Sequence, residues 1–392
     1  MITLDASQSA ALSVALEEPI SVITGGPGTA KTTILREALD RLGESARVAL
    51  CAPTGKAAKR MLEATGKPAS TIHRLLGFNP AEGGFYYDAT NPLPFDVVFV
   101  DEASMIDVEL FANLVEAIDE KTTRIVFVGD ADQLPSVGPG SILADLVRES
   151  LVPVATLSTV HRSAQESWIC ESAPRVLRGD ELDLSPREDF RFMLAEDSSS
   201  VPVIAGDALE EYADAQILVP QKTGKAGADA INVAVQERFN PLRPHESEWG
   251  KSPHKIRPRD RVIHVRNNYD LGVFNGEVGT VDSIDNASGK MLVAFPDRSA
   301  SVEYSRSDAF DLRLAYALTI HKSQGSEWAW VIVIAHNAHT FMLTRQLFYT
   351  AITRGKKGVV IVGNEKGIRN ALSSKRSASR NTALAERIKG EM

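Results

Sequence analysis

Residues 20–33 constrain this chain more than any other stretch. Ile20–Thr24 is a short, mostly apolar run that passes directly into Gly25-Gly26-Pro27-Gly28-Thr29-Ala30-Lys31-Thr32-Thr33. A strand feeding a glycine-rich turn and then a helix is the layout of a phosphate loop. Backbone N–H groups and the helix N-terminus cradle nucleotide phosphates there. Residues 25–33 are therefore expected to bind ATP, with Lys31 on the β- and γ-phosphates and Thr32 on Mg²⁺. The position before the lysine, usually glycine, is Ala30; its Cβ narrows the allowed backbone without forbidding the turn. A plain glycine-rich surface turn is the alternative, and the flanking strand and helix weigh against it.

A phosphate loop implies a parallel sheet around it. Val48–Ala52, Val97–Val100 and Ile125–Val128 read as buried strands. Helical patterns lie between and after them, over Lys31–Leu42, Lys56–Thr65, Val108–Ile118 and Ser141–Arg148. That βαβ series predicts a doubly wound α/β domain. Ile217–Val219, Val331–Ile334 and Val359–Val362 begin a second such set. It is interrupted by four short strands with turn signals, Arg261–Val265, Gly276–Val281, Met291–Phe295 and Ser301–Tyr304, which predict a small inserted β-barrel. A turn-rich stretch at residues 79–95 carries Phe85, Tyr86 and Tyr87 and predicts a protruding hairpin.

Two further strand ends carry chemistry. Val97–Val100 stops at Asp101-Glu102, and an apolar strand ending in paired carboxylates is costly unless they have a task. Asp101 suits Mg²⁺ and Glu102 suits the base that activates a water. Ile125–Val128 is followed by Gly129-Asp130-Ala131-Asp132-Gln133, whose glutamine suits a γ-phosphate contact.

In this order the motifs resemble those of the superfamily 1 DNA helicases, and within them the RecD-like subclass, from Leu4 to about Gly363. The resemblance implies two RecA-like parallel-sheet domains, with ATP bound between them. Their expected limits are 1–150 for the first and 151–240 with 312–392 for the second. The hairpin is inserted in the first, and the barrel, 241–311, in the second. Leu4-Asp5-Ala6-Ser7-Gln8 is similar to the Q motif, so Gln8 is expected on the adenine. Pro53-Thr54-Gly55-Lys56 and Ser70-Thr71-Ile72-His73 are similar to motifs that touch single-stranded DNA, which implies roles for Pro53, Thr54, Lys56, Ser70, Thr71 and His73. His161-Arg162 aligns with motif IV: Arg162 is implied at the γ-phosphate, and His161, where the family usually has an aromatic, against adenine. Thr319, His321 and Lys322 of motif V are implied at DNA, Glu327 at the ribose, Arg354 of motif VI as the arginine finger, and Asn268 at DNA within the insertion. Phe85, Tyr86 and Tyr87 are implied as the wedge that splits a duplex fork, with packing onto the core as the equal alternative.

The resemblance predicts an ATP-dependent enzyme moving 5′→3′ on single-stranded DNA, expected to be monomeric, and the two cysteines point to a reducing cytoplasm. Its cofactors would be ATP and Mg²⁺, and its partners single-stranded DNA and the duplex fork. An RNA-directed relative, or a non-hydrolysing clamp motivated by Ala30, are the alternatives. No apolar run approaches a membrane span, and two cysteines make no disulfide framework. The net charge of −8 is equalled by residues 171–215 alone. Residues 251–268 are instead basic at +5 and are expected to meet phosphate. No spare carboxylate cluster predicts a nuclease.

Overall fold

The computed structural model describes residues 4–79, 83–159, 167–250, 255–268, 270–296, 298–374 and Leu384. The chain divides into two compact units, Met1–Glu166 with Arg376–Met392, and Ser167–Lys375.

The first unit holds six parallel strands: β1 (Ile20–Gly25), β2 (Val48–Ala52), β3 (Ser70–Thr71), β4 (Val97–Val100), β5 (Arg124–Gly129) and β6 (Val154–Leu157). Their order is β3-β2-β4-β5-β1-β6. Side chains alternate between two cores, as the two-residue period of a strand requires. Val22, Val98, Val100, Ile125 and Phe127 face Leu110, Leu114, Leu143 and Leu146. Ile23, Val97, Phe99, Val126 and Val128 face Leu12, Ile34, Leu35 and Leu39. Helices therefore cover both faces, and the strands read as continuous apolar runs for that reason.

The second unit contributes β7 (Phe190–Leu194), β8 (Gln216–Val219), β9 (Arg261–His264), β10 (Val278–Asp285), β11 (Lys290–Ala294), β12 (Val302–Ser305), β13 (Leu312–Leu314), β14 (Ala317–Thr319), β15 (Trp328–Ala335) and β16 (Gly355–Gly363). Five of these make a parallel sheet, β14-β8-β15-β16-β7, and five an antiparallel one, β12-β11-β10-β9-β13. One core runs through both, from Ile332 and Val360 to Val262, Val281 and Tyr304. Among the described residues no helix is long and apolar enough to cross a membrane.

Both α/β sheets agree with the expected class. Three boundaries differ. Val154–Leu157, assigned above to the second domain, pairs with β1 in the first sheet. Leu312–Leu314, assigned to the parallel domain, pairs antiparallel with β9 and completes the small sheet. Leu384 packs against the core of the first unit rather than the second. The expected hairpin contains two isolated antiparallel bridges, Asn79–Gly84 and Asp88–Asn91, and no continuous ribbon among its described residues.

Candidate functional site

All six strands of the first sheet run parallel, so their C-terminal ends share one edge, with neighbours about 5 Å apart. Along that edge lie Thr71 at the end of β3, Pro53 and Thr54 after β2, Asp101 and Glu102 after β4, Asp130 to Gln133 after β5, and the glycine-rich loop at the end of β1. Topology alone thus collects motifs that lie far apart in the chain.

The loop is closed from within. Lys31 Nζ donates to the carbonyls of Gly25 at 2.6 Å and Gly26 at 3.1 Å. Thr29 Oγ1 donates to the Gly26 carbonyl at 2.9 Å. A Cβ on Gly25 would fall 2.6 Å from that hydroxyl, so only glycine fits there. Ala30 caps the helix Lys31–Leu42 with φ 62° and ψ 36°, the left-handed region that glycine occupies freely. The turn therefore forms with alanine, at a conformational cost. Thr32 is exposed on the first turn of that helix, and Thr33 is half-buried.

Glu102 is the second strained residue, at φ 52°. Two non-glycine residues in sparse backbone regions at one sheet edge are typical of a functional site. Asp101 Oδ1 accepts from the Glu102 backbone N–H at 2.8 Å. Burial, and then the Glu102 charge, push the Asp101 carboxyl up to about 6, against the pull of Arg60 and Lys31. Glu102 Oε1 lies 3.3 Å from Arg60 Nη1, in the helix Gly55–Thr65. Gln133 Nε2 donates to Asp130 Oδ2 at 3.1 Å, and Asp130 is buried. The Ala131 N–H donates to Thr24 Oγ1 at 3.3 Å, tying this loop to the end of β1.

No three His, Cys, Asp or Glu side chains converge among the described residues. Mg²⁺ in nucleotide sites is held by one or two protein oxygens plus phosphates, so such a cage is not required. The crowded Asp101 carboxyl and the exposed Thr32 hydroxyl fit that donor set.

Gln8 is buried, and its Oε1 accepts from the Asp5 N–H at 3.1 Å in the capping box of the helix Ala6–Glu17. Thr54 and Thr71 cap helices, accepting from the Ala57 and Arg74 N–H groups at 3.2 Å. Each hydroxyl proton stays available to donate outward. Lys56 lies on the first turn of the Gly55–Thr65 helix and Ser70 in β3. His73 packs with Phe78 and Phe85, with ring centroids 5.7 and 5.9 Å away. Phe85 and Tyr87 pack onto the core and only Tyr86, 68% exposed, faces solvent. The expected three-residue wedge is thereby corrected to one outward aromatic. Tyr86 and Tyr87 lie in a bend in which both N–H groups donate to the Leu76 carbonyl, which leaves the Tyr86 ring outermost, edge to face with Tyr87 at 5.0 Å.

In the second unit Arg354 is buried just before β16, and its Nη1 donates to the Ser326 carbonyl at 3.3 Å. Glu327, just before β15, pairs with Lys356 at 3.2 Å. These two therefore lie at the N-terminal end of the sheet. Thr319 ends β14, and His321 and Lys322 follow it, at the opposite end. There a cavity of about 260 Å³ is lined by Thr319, Lys322, Lys222, Arg313, Asp229 and Asn232, among others. Partial burial, and then Lys222 and Arg313, hold the Lys322 ammonium below its ordinary range. Three cations around one cavity against one carboxylate make an anion site. His161 and Arg162 lie outside the described residues.

Sequence reasoning missed Arg60, Lys222 and Arg313. Lys222 falls in Pro220-Gln221-Lys222-Thr223-Gly224, which is similar to a stretch of the RecD-like helicases, and the other two carry no local signal. The basic run is partly paired. Arg257 is buried and pairs with Glu237 and Glu248, Arg259 pairs with Glu246, and Lys255 with Glu248. Arg266 lies 3.6 Å from Asp311. Glutamates thus engage Lys255, Arg257 and Arg259, whereas the Arg266 side chain is 77% exposed and Lys251 lies outside the described residues. Asn268 Oδ1 accepts from the Leu271 N–H at 3.0 Å and closes a turn.

A phosphate loop and paired carboxylates on one parallel sheet, with a second parallel-sheet unit in the same chain, define a P-loop enzyme of the helicase class. Residues 8–139 match the AAA domain family, residues 231–295 the SH3 domain of ATP-dependent RecD-like DNA helicases, and residues 314–362 the UvrD-like helicase C-terminal domain. The chain is 37% identical to the ATP-dependent RecD2 DNA helicase of Deinococcus radiodurans, over 98% of this chain and 52% of that protein. It therefore spans about half of that relative. It is 37% identical to the RecBCD enzyme subunit RecD of Mycolicibacterium smegmatis, over 97% of this chain and 74% of that one. Among solved structures the fold is similar to the Pif1 helicase from Candida albicans, with TM-score 0.58, 19% identity and coverage of 96% and 98%. It is also similar to a Bacteroides Pif1 helicase in complex with ADP-AlF3 and ssDNA, with TM-score 0.57, 18% identity and 92% of each chain covered. The chain belongs to the RecD-like DNA helicases.

Proposed function

We propose that this chain is a monomeric, ATP-driven motor that moves 5′→3′ on single-stranded DNA and separates duplex strands. The observation that carries the reading is the single sheet edge on which the phosphate loop, Asp101, Glu102, Gln133 and the capped helix ends at Thr54 and Thr71 stand in a row. Asp101 and Glu102, after β4, are one strand from Thr54 and two from Thr71, and the phosphate loop after β1 is three and four strands away. The relatives' names, a DNA helicase and a RecBCD subunit, support the substrate class.

In this reading the loop N–H groups and Lys31 hold the phosphates, and Gln8, His161 and Glu327 the nucleoside. Thr32 and Asp101 would hold Mg²⁺, which when bound neutralises phosphate charge. Glu102 orients the attacking water and accepts its proton, while Gln133 contacts the γ-phosphate. Arg162 and Arg354 place positive charge on the transferring phosphoryl group. Pro53, Thr54, Lys56, Ser70, Thr71 and His73 grip the backbone in the first unit. Thr319, His321, Lys322, Lys222 and Arg313 do so in the second, with Asn268 nearby in sequence to the small sheet. Backbone contacts carry no sequence information, as a motor that must travel along any strand requires.

Strand separation assays on duplexes carrying either a 5′ or a 3′ tail test the polarity. Unwinding from the 5′ tail is expected, and preference for the 3′ tail refutes it. Lys31→Ala abolishes hydrolysis in this reading; retained turnover rules out the loop assignment.

A further inference from the structure

We infer that Arg60 is a positioning residue through which bound single-stranded DNA releases Glu102 for catalysis. The inference rests on the assignment of Glu102 as base and of Thr54 and Lys56 as DNA contacts.

The geometry runs along one short helix. Gly55–Thr65 begins at the Thr54 cap, and Lys56 lies on its first turn. Arg60 follows Lys56 by four residues, so the two share a helix face, about 6 Å apart along the axis. That distance is within the reach of an arginine side chain. Toward the sheet, Arg60 Nη1 sits 3.3 Å from Glu102 Oε1, with the Glu102 side chain 14% and the Arg60 side chain 31% exposed. Glu102 cannot turn its backbone freely, because it is fixed at φ 52° with its N–H on Asp101. Its carboxylate must therefore change partner by side-chain rotation or by departure of the arginine. The Arg60 charge also reaches Asp101.

In the structure one of the two carboxylate oxygens of Glu102, Oε1, is engaged by the Arg60 guanidinium. Arg60 is partly exposed and stands one turn from the proposed phosphate contact. A DNA phosphate there competes with Glu102 for the same cation, and a guanidinium binds phosphate in the same forked geometry as carboxylate. Moving Arg60 to the phosphate frees Glu102. Hydrolysis is then slow off DNA and fast on it, with no rearrangement of the sheet.

The test measures steady-state ATP hydrolysis by the full chain, with and without saturating oligo(dT), for Arg60→Ala, Arg60→Gln and Arg60→Lys. The DNA-free rate of Arg60→Ala and Arg60→Gln is expected to rise about tenfold, roughly 1.4 kcal/mol of barrier, with the DNA-saturated rate within about twofold of wild type. Stimulation by DNA then collapses, and the lysine variant recovers part of it. A purely structural Arg60 would lower both rates and keep their ratio; that result, or an unchanged DNA-free rate in folded Arg60→Gln, overturns the proposal. Wild-type protein whose hydrolysis ignores DNA would instead refute the underlying motor reading, and is seen before any variant is compared.

Discussion

Asp260 joins the small antiparallel sheet to the parallel domain, and replacing it by asparagine tests how that junction is held. The carboxylate is fully buried. Its Oδ2 accepts from Gln236 Nε2 at 2.5 Å and from the Arg257 N–H at 2.7 Å. Its Oδ1 accepts from Asn240 Nδ2 at 2.7 Å and from the Tyr316 hydroxyl at 2.9 Å. Four donors thus converge on two oxygens, from the helix Ala228–Phe239, its C-cap, the segment before β9 and the start of the return to β14. In Asp260→Asn an NH₂ group must replace one oxygen: at Oδ2 it meets the Gln236 and Arg257 donors, and at Oδ1 it meets the Asn240 donor beside a Tyr316 hydroxyl that can turn to accept. Hydrogen bonds to a charged group contribute about 1.5–3 kcal/mol each, so losing at least one and weakening the others, now made to a neutral amide, costs roughly 3–6 kcal/mol. The substitution also removes a buried charge. Burial holds the Asp260 carboxyl above its usual range despite these donors, so that relief is real. A net loss of about 3 kcal/mol is expected, which corresponds to about 150-fold faster exchange of amide hydrogens that depend on the junction. Hydrogen exchange read by mass spectrometry on peptides spanning Arg261–His264 checks this, with peptides from Ile20–Gly25 as the internal reference. Tyr316→Phe, which removes one donor, should give a smaller effect of the same kind. Acceleration of less than about tenfold, or equal acceleration in the first unit, refutes the account.

Ala30→Gly should stabilise the first unit by about 0.5–1 kcal/mol, because it removes left-handed strain that exceeds the added freedom of the unfolded chain. Ala10→Gly, in the exposed interior of the helix Ala6–Glu17, should cost about 1 kcal/mol; thermal denaturation showing the same sign for both would contradict the strain argument. Replacing Lys222 and Arg313 by alanine should weaken single-stranded DNA binding and lower the slope of log affinity against log salt by about 0.7 for each phosphate no longer neutralised. Fluorescence anisotropy across a KCl series measures that slope, and an unchanged value removes the cavity from the DNA path. Tyr86→Ala should slow fork unwinding while sparing DNA-stimulated hydrolysis, whereas Phe85→Ala should lower stability by about 2–3 kcal/mol. Equal stability loss in both variants would mean that Tyr86 is packed like its neighbours.

What could be read in advance follows a physical division. The phosphate loop, the paired carboxylates and the buried strands were legible because each is local. A few adjacent residues set the backbone, and their chemistry has one common use. The small sheet was legible as short strands with turns, but its last strand, Leu312–Leu314, was not, since three residues make a strand only through pairing with Arg261–His264. Val154–Leu157 was misassigned for the same reason: its place is decided by β1, more than a hundred residues earlier.

Charge was the least legible property. Counting residues 251–268 finds six cations, but a count sees no partners, and Glu237, Glu246 and Glu248 all lie outside that window. The converse holds for Lys222, Arg313 and Lys322, which are scattered in sequence and collected at one cavity by β8, β13 and β14. A motor needs cations that remain available to phosphate, and availability is set by tertiary structure. In the basic run Lys255, Arg257 and Arg259 are held by nearby glutamates and serve cohesion. At the cavity they crowd one another against a single carboxylate, so an arriving polyanion relieves repulsion there instead of breaking ion pairs. Arg60 lies between these extremes, paired with a glutamate yet partly exposed. An arginine that must change partners during a cycle has to be held weakly enough to leave and close enough to return.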